Sequence, residues 1–169
     1  MSFTAFDPVV NIISQIGYSF DVDHDGNDES CVSFSYPDGE YKGDTCYVPL
    51  YTSDEARTGE LPYMPFIEVL LVDAPSRTHN VQGDIKFGEA YIDFNIHVVN
   101  TDEINKIKTW LPVCKNELCD LITQNRHVVS GCTWMEVIDN GRAYTEAAGK
   151  QIIFHHVISI YANEYDNGI

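Results

Sequence analysis

The chain has 169 residues, 44% hydrophobic and 12% aromatic, which is enough for one globular domain with its own core and too apolar for a disordered polymer. Twenty-six acidic residues against ten basic ones give a formal charge of −16. Such a surface repels phosphates, and no cluster of lysine and arginine offsets it, so sequence-specific nucleic-acid binding is disfavoured.

The start, "MSFTAFDPVV", carries no leader pattern, and no apolar run reaches bilayer length, so the expected location is a cytoplasm, with no membrane partner. Five cysteines (Cys31, Cys46, Cys114, Cys119, Cys132) are then expected as free thiols. In chain order, Asp7 offers a cap and Pro8 suits a first helical position. Val9, Val10, Ile12, Ile13 and Ile16 follow with helical spacing as far as Gly17, predicting a short amphipathic helix.

Residues 21–65 form an irregular acidic stretch, with strand-like "CVSFSY" and "TCYVPLY" set between turn-rich segments. It opens with "DVDHDGNDES", where Asp21, Asp23 and Asp25 alternate ahead of Gly26 as in a calcium loop. An EF-hand needs a bidentate Glu at its twelfth position and a helix on either side. Here that position is Val32 and a strand pattern follows, which argues against an EF-hand. A looser site on Asp21, Asp23, Asp25 and Glu29 stays open beside the plainer reading, a solvated turn.

Past residue 65 the periodicities sharpen. "FIEVLLV" predicts a buried strand, and Asp73 to Gly88 a long loop or arm. In "AYIDFNIHVV", Ala90, Ile92, Phe94, Ile96 and Val98 share one face, while Tyr91, Asp93, Asn95 and His97 share the other. "NTDEINKIKTWLPVCKNELCDLITQN" spaces Ile104, Ile107, Leu111, Cys114, Leu118 and Leu121 by threes and fours, a long helix that Pro112 is expected to kink or divide. "TWMEVID" and "QIIFHHVISIYA" predict two last strands, joined by "NGRAYTEAAGK". The expected fold is a single α/β (α+β) domain over residues 1–169, a mixed or mostly antiparallel sheet with two helices packed on one face.

No catalytic pattern emerges. His155 and His156 are adjacent in a strand and point to opposite faces, and His97 and Asp93 share a face but stand too far apart for direct contact. "SGC" at Ser130 to Cys132 offers a nucleophile with no base at a diagnostic spacing. Neither an enzymatic activity nor a cofactor is expected.

The ordered set "PFIEVLLV", an arm, "EAYIDFNIHVVNTDEINKIKTWL", "TWMEVIDNGRAY" and "IIFHHVISIYAN", preceded by a short helix over Phe6 to Gly17, resembles the tail terminator (tail completion) proteins of long-tailed viruses, the lambda-type family. The resemblance covers about two thirds of the chain, and the acidic stretch from Asp21 to about Glu60 departs from it. It implies a structural virion protein, present in the host cytoplasm during assembly. Such a protein closes as a homo-oligomeric ring, commonly a hexamer, on the head-proximal end of the tail tube, stops polymerisation and meets the head–tail connector.

The implied partners are other copies of itself, the major tail tube protein and the connector, with viral DNA passing through unbound. The arm, with Arg77, His79, Asp84 and Lys86, and Arg142 beyond it are the interface candidates. Rival expectations are a head-completion or other neck protein of the same virion, a calcium-dependent binding module, and a small enzyme gathering His97, Asp93 or Cys132.

Overall fold

The computed structural model describes residues 8–37, 42–53, 65–73, 76–78, 86–99, 104–127, 134–148 and 151–166. The apolar spacing after Pro8 winds into α1 (Pro8–Ile16), which buries Val9, Ile12 and Ile16; the predicted cap Asp7 lies outside the described residues. At the end of α1 the Ser30 hydroxyl donates to the Ile13 carbonyl, satisfying one of the orphan acceptors of the last turn. Gly17 is required there by space: a Cβ would overlap the Ser30 hydroxyl and press on the backbone nitrogen of Cys31.

The strands are β1 (Tyr18–Phe20), β2 (Glu29–Ser35), β3 (Thr45–Thr52), β4 (Phe66–Asp73), β5 (Ser76–Thr78), β6 (Lys86–Val99), β7 (Trp134–Ala148) and β8 (Gln151–Asp166), with α2 (Ile104–Gln124) between β6 and β7. They form one mixed sheet in the order β1-β2-β3-β4-β6-β8-β7, with β5 paired to the start of β6. Every pairing is antiparallel except β3 with β4, a short parallel ladder from Leu50–Ile67 to Thr52–Val69. The fold is α+β, as the sequence predicts, and the two helices among the described residues lie on one face.

That face holds the core. Ala90, Ile92, Phe94, Ile96 and Val98 of β6 are all buried, and they meet Ile67 and Val69 of β4, Ile158, Ile160 and Ala162 of β8, and the helices above. From α2, Cys114, Leu118, Leu121 and Ile122 reach the same cluster. α2 is one continuous helix despite Pro112, whose ring is exposed, so the hydrogen bond it removes lies on the solvent side. No helix among the described residues is long and apolar enough to cross a membrane.

Tyr18–Phe20 forms a short edge strand on β2. Two expectations need correction. "NGRAYTEAAGK" is strand as far as Ala148, because β8 supplies a ladder from Arg142–Val157 to Ala148–Gln151. Asn140 and Gly141, which read as a turn, instead sit in a register shift between Asp139 and Arg142, where the Gly141 amide donates to Asp139. The base of the arm, finally, is a ladder of β5 on β6, while its residues 79–85 lie outside the described set.

Candidate functional site

Two groups of side chains stand out from the fold, the carboxylates of the β1–β2 loop and a polar layer on the sheet face turned away from α1 and α2.

The loop is folded by its own carboxylates. Asp21 accepts from the amides of Asp25 and Gly26, Asp23 from that of Asp25, Asp25 from that of Asn27, and Glu29 from that of Val22. His24 and Gly26 take positive φ, 61° and 93°, which lets the chain turn tightly enough to aim these groups inward. Carboxylate oxygens of Asp21, Asp23, Asp25 and Glu29 thereby lie within 4.8 Å of one another, so the structure brings all four candidates together. Hydrogen bonds from Asn27, first from its backbone amide, hold the Asp25 carboxyl below the ordinary carboxylate range. Such oxygens suit a hard cation such as calcium. Val32, at the twelfth position, is fully buried in the core and offers no bidentate ligand.

The polar layer follows from strand parity. If Ile92, Phe94 and Ile96 face the helices, then Asp93, Asn95 and His97 face away, and the register sets His97 opposite both Phe66 of β4 and His155 of β8, with Tyr144 of β7 beyond His155. The four rings form a row across four strands. Phe66 stacks on His97 (4.4 Å between centroids), His97 meets His155 edge to face (4.4 Å), and His155 stacks on Tyr144 (4.4 Å).

Hydrogen bonds bind the row. His155 Nε2 donates to the Glu146 carboxylate at 2.9 Å, and its Nδ1 lies 3.2 Å from the Asn95 side-chain oxygen; Asn95 Nδ2 donates to the Tyr144 hydroxyl at 3.1 Å. Glu68 Oε1 stands 3.4 Å from His97 Nε2 without the alignment of a hydrogen bond. Burial, followed by the neighbouring His155, pushes the His97 ring down to about 4, so it is neutral near pH 7. Beside the row, Arg142 Nη2 donates to Asp93 Oδ2 at 2.7 Å and Ser159 donates to Asp93 Oδ1 at 2.6 Å. A cleft of about 280 Å³ opens here, lined by Leu70, Asp93, Asn95, Arg142, Tyr144 and Val157.

The chemistry of this layer is cohesive. Ser159 donates to a carboxylate, and burial pushes Cys31 up to about 12 and also raises Cys46, Cys114 and Cys119, so these four thiols stay protonated near pH 7. Cys132 lies outside the described residues, as do the interface candidates His79 and Asp84. Arg77 and Lys86 sit in the ladder at the base of the arm, in register with Phe87 and Thr78. Arg142 is level with Asn95 through Val157, nine residues along β6 from Lys86 and therefore about 30 Å away, so these candidates do not form one site.

Sequence reasoning missed Glu68, Asn95, Tyr144 and Glu146 as partners, and treated His155 only beside His156. A signal was present for the shared face only: His97 and His155 each lie opposite the apolar residues of their own strand, so pairing the strands puts both on one side of the sheet, while their register comes from the structure. No protein-family model and no curated protein matches the chain.

Proposed function

We propose that this chain is a structural subunit of a virus particle. It closes as a ring on the head-proximal end of a tail tube, stops tube polymerisation and presents a surface to the head–tail connector. One observation carries the reading: the ordered features that resemble tail terminators fall on β4, the arm, β6, α2, β7 and β8 of a single sheet, with both helices on one face. The sheet face turned away from α1 and α2 is thereby left for contacts with other chains.

The chemistry supports a geometric role. Protonated thiols, a neutral His97 and a polar layer bonded within itself hold a shape. The charge of −16 suits a ring that DNA traverses, because carboxylates keep phosphates from adhering. The same charge makes free subunits repel one another, so the tube end acts as the template that offsets the repulsion.

Loss of the gene from the virus is the test. Electron microscopy is expected to show finished heads and separate tails of uncontrolled length. Tails of normal length that merely fail to join heads would point to a head-completion or other neck protein, and tails of normal length firmly attached to heads would refute the virion reading.

A further inference from the structure

Among the described residues the sheet ends in two free edges of very different length. β1 is three residues long and runs into the acidic loop, so pairing it with another chain sets carboxylates against any acidic partner. β7, at the other end, is 15 residues long. An edge of that length exposes a row of backbone donors and acceptors and is a template for another strand unless something blunts it. Half of it is blunted: register shifts between Val137 and Asp139 and between Asp139 and Arg142 distort the first part, where Asp139 and the Asn140–Gly141 pair lie. From Arg142 to Ala148 the ladder with β8 is regular, and residues 142–147 are all exposed.

The regular part reads Arg142-Ala143-Tyr144-Thr145-Glu146. Its pattern is self-complementary in the antiparallel sense. If two copies meet about a twofold axis through Tyr144, residue numbers on opposed positions add to 288. Arg142 then faces Glu146 of the second copy, Ala143 faces Thr145, Tyr144 faces Tyr144, and Glu146 faces Arg142. Both opposite-charge pairs and the tyrosine pair fall on the same side of the sheet, since alternate residues share a face. The side chains are accessible: Arg142 is 52% exposed, Tyr144 48% and Glu146 60%.

Their contacts within the chain leave room for the second partner. Arg142 uses Nη2 on Asp93 and keeps its other donors, and Glu146 uses Oε2 on His155 and keeps Oε1. Asp93 and His155 thus hold the two charged groups in place along the edge.

We infer that β7 is a self-recognition edge: two copies of this chain join by antiparallel pairing of Arg142–Glu146 about Tyr144. The seam is isologous, so it closes on itself as a dimer and does not propagate into fibres. The distorted stretch at Asn140–Gly141 limits its length, which keeps the dimer weak and reversible. The inference does not depend on the tail reading, because a twofold pair is a different contact from the head-to-tail contact that closes a ring.

Sedimentation equilibrium on the whole chain from ~10 µM to ~1 mM is expected to show a reversible monomer–dimer equilibrium. R142E sets carboxylate against carboxylate across the seam, and E146R sets guanidinium against guanidinium, so each alone weakens the dimer at least about ten-fold. An equimolar mixture of the two variants is expected to recover a dimer, since one partner then carries both negative groups and the other both positive groups; a purely structural role for these side chains would not produce that recovery. Hydrogen exchange of the unaltered protein gives a second readout free of any substitution, in which backbone amides within 142–146 are expected to exchange more slowly as concentration rises. A chain that stays monomeric throughout, variants that associate like the parent, a mixture that fails to pair, or exchange that is independent of concentration would each overturn the inference.

Discussion

His97 links stability to pH, and the sign and size of the effect follow from its surroundings. In the unfolded chain an imidazole titrates near its ordinary 6.5, whereas in the folded chain burial and the neighbouring His155 hold it to about 4. Between those values the unfolded state binds the proton and the folded state does not, so acid favours unfolding. The contribution of His97 is therefore fully present above about pH 6.5 and is lost as the pH falls towards 4. At about 1.36 kcal/mol per pH unit the gap sets a ceiling of about 3 kcal/mol. The ring retains some contact with water and Glu68 stands 3.4 Å away, so about 2 kcal/mol is the expected figure. Urea unfolding of the parent and of His97→Gln at pH 7 and pH 4 isolates it, because the carboxylates titrate in both proteins. The parent should lose about 2 kcal/mol more than the variant over that interval. Equal losses in the two proteins would refute the assignment of a neutral, buried His97.

Phe94→Ala removes a fully buried ring from the centre of the core and is expected to cost about 3–5 kcal/mol, read from the urea midpoint; a cost below about 1 kcal/mol would mean that the sheet is not packed as described. Gly17→Ala forces the end of α1 away from Ser30 and Cys31 and is expected to destabilise by about 1–3 kcal/mol in thermal melts, against the usual gain from replacing glycine with alanine. Calcium is expected to bind the β1–β2 loop no more tightly than about 10⁻⁴ M by calorimetric titration, because Val32 replaces the bidentate ligand; micromolar binding abolished by Asp23→Ala would contradict this.

The sequence by itself determined the long helices and strands with strong patterns and their buried faces, because both are encoded by local periodicity. Alternation along Ala90–Val98 declares which side of β6 meets a core, and threes and fours through Leu111–Leu121 declare the buried stripe of α2. It also placed the acidic loop, since Asp21, Asp23 and Asp25 precede Gly26 within one short turn. Only the tertiary structure decided what depends on pairing between distant segments. Asn140–Gly141 carries a turn signal, yet the ladder with β8 overrides it and extends β7 to Ala148. His97 and His155 are 58 positions apart, and nothing local to either predicts the other; register alone puts the rings 4.4 Å apart, and burial with His155 alongside holds the His97 pKa down. The same holds for the free edge. Arg142 to Glu146 is self-complementary in sequence, but that pattern acquires a meaning only where β7 is the last strand of the sheet, since a strand paired on both sides has no backbone groups left to offer a second chain.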